Sequence, residues 1–92
     1  MDQIGRIRFK NLIDDLLNFC DGASTDEDRA VLLRIGIVVL NKLRIHTNID
    51  PNMGYDVREL TTRMGACTSA ELLVFMWDET IELLQGYREE LA

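Results

Sequence analysis

The sequence predicts an all-α fold: a small, mainly antiparallel four-helix bundle with a buried second helix. Apolar residues recur at spacings of three and four along most of the chain, the period of one helix face. Ser24, Asp56 and Thr68 each precede a glutamate by three residues (Glu27, Glu59 and Glu71), the pairing of a capping box at a helix start. Short connectors between the periodic segments set neighbouring helices antiparallel. A chain of 92 residues does not hold two independent cores, so residues 1–92 are expected to form a single domain. Its composition, 47% apolar and 28% charged, is that of a globular chain and not a disordered one.

The first helix is expected over Ile7 to Cys20, where Phe9, Leu12, Ile13, Leu16, Leu17 and Cys20 form one wide apolar face and Asp14, Asp15 and Asn18 the wet one. Asp21-Gly22 closes it, because glycine adopts the left-handed conformation that ends many helices. Ser24 caps the second helix, which runs to about Ile45 and is apolar almost all round between Val31 and Leu43, the pattern of a helix at the centre of a bundle. A strand over Ile35 to Leu40 competes, since β-branched residues suit a sheet, but the cap and the lack of turn residues favour helix.

His46 to Tyr55 reads as a connector in which Asp50-Pro51 caps one short turn. Asp56 then starts a short amphipathic helix through Val57, Leu60, Thr61 and Met64 that Gly65 ends. Thr68 caps a final helix running to about Glu90. Leu73, Trp77, Leu84, Tyr87 and Leu91 follow near-heptad spacing along it, and Leu72, Met76 and Leu83 form a second stripe beside them.

The longest apolar stretches, Ile35 to Leu40 and Leu72 to Trp77, are far shorter than the ~20 residues that cross a bilayer, and Asp14 and Asp15 interrupt any signal-like segment. A cytoplasmic protein without a membrane span is expected. Cys20 and Cys67 are too few and too far apart for a disulfide framework or a ligand pair, and read as small apolar fillers. The lone histidine, His46, sits at a helix C-terminus, where its cation is mildly favoured. Without a second histidine, a phosphate loop or paired ligands, neither enzyme activity nor a metal or cofactor is expected. Asp50, Asn52, Gly54 and Asp56 alternate like the start of a calcium loop. Tyr55 and Thr61, however, occupy the positions where that loop requires glycine and a bidentate glutamate.

Leu60 to Ala66 followed by Thr68 to Val74 has the outline of a helix-turn-helix, but no lysine or arginine occurs between Arg63 and Arg88 to meet phosphates. Arg6, Arg8 and Lys10 alternate with Ile7 and Phe9. Read as a strand ahead of two helices, this order resembles the ribbon-helix-helix repressors, and the resemblance implies a DNA-binding dimer whose paired strands enter the major groove. The alternative for the same residues is a solvated basic first turn of the first helix. Asp14, Asp15, Asp26, Glu27 and Asp28 would repel nearby phosphate, so nucleic acid is not the favoured ligand. A small-anion or nucleotide binder would instead bring Arg6, Arg34 or Arg44 into one pocket.

Residues 1–46 carry seven basic and seven acidic side chains and residues 47–92 three and nine, so the net charge of −6 belongs to the second half. This imbalance favours a partner protein with a basic surface. The expected role is a small acidic protein-binding module, acting stoichiometrically as an inhibitor, adaptor or immunity-type protein of the kind phages encode. It would work by occupying a cationic surface that otherwise holds nucleic acid. Trp77, Leu84 and Tyr87 are the expected anchors, with Asp78, Glu79, Glu82 and Glu89 at the rim. The paired stripes of the last helix also predict a homodimer through that helix.

Overall fold

The computed structural model describes residues 2–47 and 50–92. Helix takes 85% of these residues and no strand occurs among them. The described residues form five helices, not four: α1 (Gln3–Asp21), α2 (Asp26–Thr47), α3 (Pro51–Gly65), α4 (Ala70–Val74) and α5 (Trp77–Leu91).

α1 starts earlier than its apolar pattern indicates because Asp2 caps it, accepting a hydrogen bond from the Gly5 amide at 2.7 Å. Residues 4–10 are therefore the first turns of a helix, and the strand required for a ribbon-helix-helix arrangement is not formed. The alternation that suggested it does not define two faces, since Ile7 is exposed while Phe9 is half-buried. At the other end Gly22 closes the helix in the right-handed region, at φ −89°, not the left-handed one. The Gly22 and Ala23 amides reach back three residues to Phe19 and Cys20, a tight last turn that needs no positive φ.

The cap of α2 lies one residue later than expected. Thr25 Oγ1, not Ser24, accepts from the Asp28 amide at 3.1 Å. Asp26, Glu27 and Asp28 fill the first turn and Arg44 and His46 the last, each sign matched to the helix dipole.

The expected connector from His46 to Tyr55 is mostly helix, with Asn48 and Ile49 outside the described residues. Asp50 accepts from the Asn52 amide at 2.9 Å and Pro51 opens α3, so Asp56 lies inside that helix and caps nothing. Aspartate followed by proline is the stronger start signal, because proline is preset for the first helical position. The residues that alternate like a calcium loop thus lie on successive turns of α3.

Ser69, not Thr68, caps the next segment, through the Leu72 amide at 3.3 Å. That segment stops at Val74, and the chain bends through Phe75 and Met76 before α5. Neither glycine nor proline marks the bend. Thr80 is pinned there, its amide and hydroxyl both donating to the Met76 carbonyl, and such back-bonding tends to bend helices. A second helix of only five residues also leaves no recognition helix for a helix-turn-helix.

α2 packs on all four other helices. Its buried side is Ala30, Leu33, Gly36, Val39, Leu40 and Leu43. At Gly36 the neighbours come so close that an added Cβ would stand 3.3 Å from Thr80 Cγ2 and within 4 Å of Leu84 and Leu16. Asn41 ties α2 to α3, donating to Thr61 Oγ1 at 3.0 Å. The description of α2 as a buried helix holds for this side only. Val31, Ile35, Val38 and Ile45 are 47% to 64% exposed on the opposite side. The structure is only 15 Å through its thinnest dimension, and none of the other described helices covers that face. None of the described helices is long and apolar enough to cross a membrane.

Candidate functional site

α1 and α5 are held together along their solvent-facing flank by polar contacts. The Arg6 guanidinium donates to the Glu90 carbonyl at 2.8 Å, and Arg88 forms an ion pair with Asp14. The α5 carbonyl that Arg6 meets lies in the last turn, where a cation suits the dipole. Between the two helices lies a groove of about 830 Å³ whose wall includes the Arg88–Asp14 pair. Leu17, Trp77 and Ile81, all half-buried, together with buried Cys20, make its apolar lining; Asp21 and Glu89 stand exposed at its edge. The spacing explains the lining. Trp77, Ile81 and Arg88 fall four and seven residues apart on one flank of α5, as Leu17 and Asp21 do at a spacing of four on α1.

Trp77 is stacked by a cation of the same chain, the Arg29 guanidinium lying 5.6 Å from its ring centroid. The Arg29 Nε is buried there without a hydrogen-bond partner. Burial pushes the Cys20 thiol up, with the Asp21 charge adding to it. Cys67 donates weakly to the Arg63 carbonyl at 3.4 Å, and both cysteines are free. Among the described residues no group of three or more acidic, histidine or cysteine side chains is arranged to hold a metal.

The expected partner-binding residues separate into three environments. Trp77 lines the groove. Asp78 and Glu82 are exposed, Glu82 bordering a small cleft with Met53 and Asp56, and Glu79 is engaged by Arg63 at 2.6 Å. Leu84 and Tyr87, each 1% exposed, are core, so neither offers a free surface to anchor a partner or a dimer. The two stripes are neighbours on one helix face, and that face packs inward, burying Leu73, Met76, Leu83, Leu84, Tyr87 and Leu91 together. Of the second stripe only Leu72 remains outside.

The basic candidates do not converge either. Arg6 is committed to α5 and Arg8 is exposed on α1. Lys10 is half-buried there. Arg34 and Arg44 lie about 15 Å apart along α2, and Arg44 faces Asn41 and Gly54. Sequence reasoning placed Glu89 at the rim of a patch on the last helix but missed Leu17, Asp21 and Ile81 as groove residues. One signal was available: Arg88 is the only cation of α5 and demands a carboxylate, which Asp14 supplies. Compared with known protein families, curated proteins and solved structures, the chain matches none.

Proposed function

We propose that this chain is a small acidic binding module of the cytoplasm, acting stoichiometrically as an inhibitor, adaptor or immunity-type protein by taking a basic segment of a partner into the groove between α1 and α5. The observation that carries this reading is Trp77, a large aromatic left half-exposed in a groove edged by Asp21 and Glu89. Tryptophan buries much apolar area at low entropic cost and its face attracts cations, as its own stacking on Arg29 illustrates. Carboxylates at the edge accept charge-assisted hydrogen bonds from lysine or arginine while staying hydrated until a partner arrives.

The exposed Asp78 and Glu82 on the outer side of α5, with the net charge of −6, steer a cationic surface toward the groove. Occupying a surface that otherwise holds nucleic acid blocks it without catalysis. This reading is tested in the native host with a photo-crosslinking amino acid at Gln85, an exposed groove position. One partner protein should be captured at a one-to-one ratio, and capture should fall at least ~10-fold in an Asp21→Lys/Glu89→Lys variant. Trp77 is the only tryptophan, so its emission should also shift on adding the purified partner. No capture above that from Thr62, exposed on α3, would overturn the reading.

A further inference from the structure

We propose that the open face of α2 is covered by a second copy of this chain, the two α2 helices packing in opposite directions about a two-fold axis. The face is a seam and not a scatter of apolar residues. Val31, Ile35, Val38, Lys42 and Ile45 follow one another at spacings of four, three, four and three, the heptad pattern of paired helices, and all five are exposed. The seam runs roughly 21 Å at 1.5 Å per residue. Phe19, 69% exposed at the end of α1, extends it sideways, sharing a small cleft with Val31. Together these side chains leave on the order of 500 Å² of apolar surface per copy, the upper range for a patch on a monomer; with a polar rim it approaches the ~800 Å² per partner of a stable association.

Charge selects the occupant and its direction. Asp26, Glu27 and Asp28 lie at one end of α2 and Lys42, Arg44 and His46 at the other. In a parallel pair the three acids of each copy would face each other. In the opposite direction the acidic end of one copy meets the basic end of the other, and the helix dipoles are also opposed. Centring the axis between Gly36 and Ile37 sets Ile35 against Val38 of the second copy and Val31 against the aliphatic stem of Lys42. Asp28 then lies beside Ile45 and His46, one turn from Lys42. The closed two-fold covers both seams at once, so this seam does not propagate a filament. The β-branched residues of the seam have few rotamers to lose on burial. This surface is separate from the α1–α5 groove, so each proposal can fail without the other.

Sedimentation velocity of the full chain over micromolar to submillimolar concentrations is expected to show a species of twice 10.6 kDa. Val38→Glu should weaken the association at least ~10-fold with an unchanged helical spectrum, because the position is solvent-facing in the single chain. Ile45→Lys provides the same readout should Val38→Glu disturb folding, and Asp21→Lys/Glu89→Lys should leave the dimer intact. In a Cys67→Ser background, mixed Ile35→Cys and Val38→Cys copies should form an intermolecular disulfide on mild oxidation, whereas Val31→Cys alone should not. A monomer at every concentration would overturn the proposal and leave the seam to a different protein. A dimer that survives both Val38→Glu and Ile45→Lys, or efficient Val31→Cys self-linkage, would overturn it as well.

Discussion

Tyr87 is almost wholly enclosed, yet its ring borders a small cleft that it shares with Arg44, Asp50 and Tyr55. Burial pushes its phenol up, Arg44 opposes that shift and Asp50 adds to it. The folded chain therefore holds this proton more tightly than the unfolded chain does. Stability is untouched below the ordinary tyrosine range near pH 10 and declines as the pH rises through it, and the Cys20 thiol, also raised, adds a decline beginning at somewhat lower pH. Urea midpoints measured from neutral to strongly alkaline pH should fall, and Tyr87→Phe should flatten the upper part of that fall. Arg29 poses a different balance. Its stem packs by Trp77 and its guanidinium gains a cation–π contact, but its Nε lacks a partner. Arg29→Met keeps the stem and removes the orphan donor, so chemical denaturation should place it within about 1 kcal/mol of wild type. That Thr25 and Ser69 cap helices where Ser24 and Thr68 were expected reflects a real degeneracy. Adjacent hydroxyl residues are equivalent as caps, and only the register of the apolar face behind them decides.

Of the glycines inside helices, Gly36 and Gly86 have neighbours that give them opposite roles. A methyl on Gly36 would press on Thr80, which cannot turn away without losing its bond to the Met76 carbonyl. Gly36→Ala gains about 1 kcal/mol in helix propensity and loses more than that to overpacking, a net destabilisation of about 1 kcal/mol. A methyl on Gly86 would meet only the Met53 terminal methyl, at 3.1 Å, the free end of a flexible side chain. Gly86→Ala should therefore stabilise the fold by up to about 1 kcal/mol, and thermal melts of the two variants should move in opposite directions. The helices themselves were legible from spacing and caps, including α2 against its strand alternative. The bend between α4 and α5 was not, because no glycine or proline announces it and the apolar pattern continues straight through.

At the level of the whole molecule the core is one cluster to which α1 through α5 all contribute, and Leu84 lies within it. Leu84→Ala should cost about 2–5 kcal/mol in urea unfolding. Leu84→Glu should unfold the chain outright instead of merely separating two copies, since a carboxylate cannot be accommodated at a fully enclosed site. The surface is governed by charge excess. The two ion pairs among the described residues, Arg63–Glu79 and Arg88–Asp14, have partners a third or more exposed and contribute little, whereas a net charge of −6 repels itself in the compact state. Raising salt from low to moderate concentration should accordingly raise the melting temperature, as scanning calorimetry would show.

Periodicity and capping, both local properties, determined by themselves that this protein is helical, and composition determined that its second half is acidic. Neither says which of several apolar faces finds a neighbour. Leu84 and Tyr87 were legible as interface anchors because a small bundle was expected to leave one of the two stripes uncovered; the packing of α1 and α2 against α5 turned both into core. Val31, Ile35 and Val38 were legible as core because α2 is apolar all round, but the helices packed on it cover only one side. The tertiary structure decided the groove in the same way, by bringing Leu17 and Asp21 of α1 opposite Trp77 and Ile81 of α5. An apolar residue carries the same transfer free energy in either setting. Whether it becomes core or interface depends on where the other helices lie, and that is a property of the packed chain, not of any segment of it.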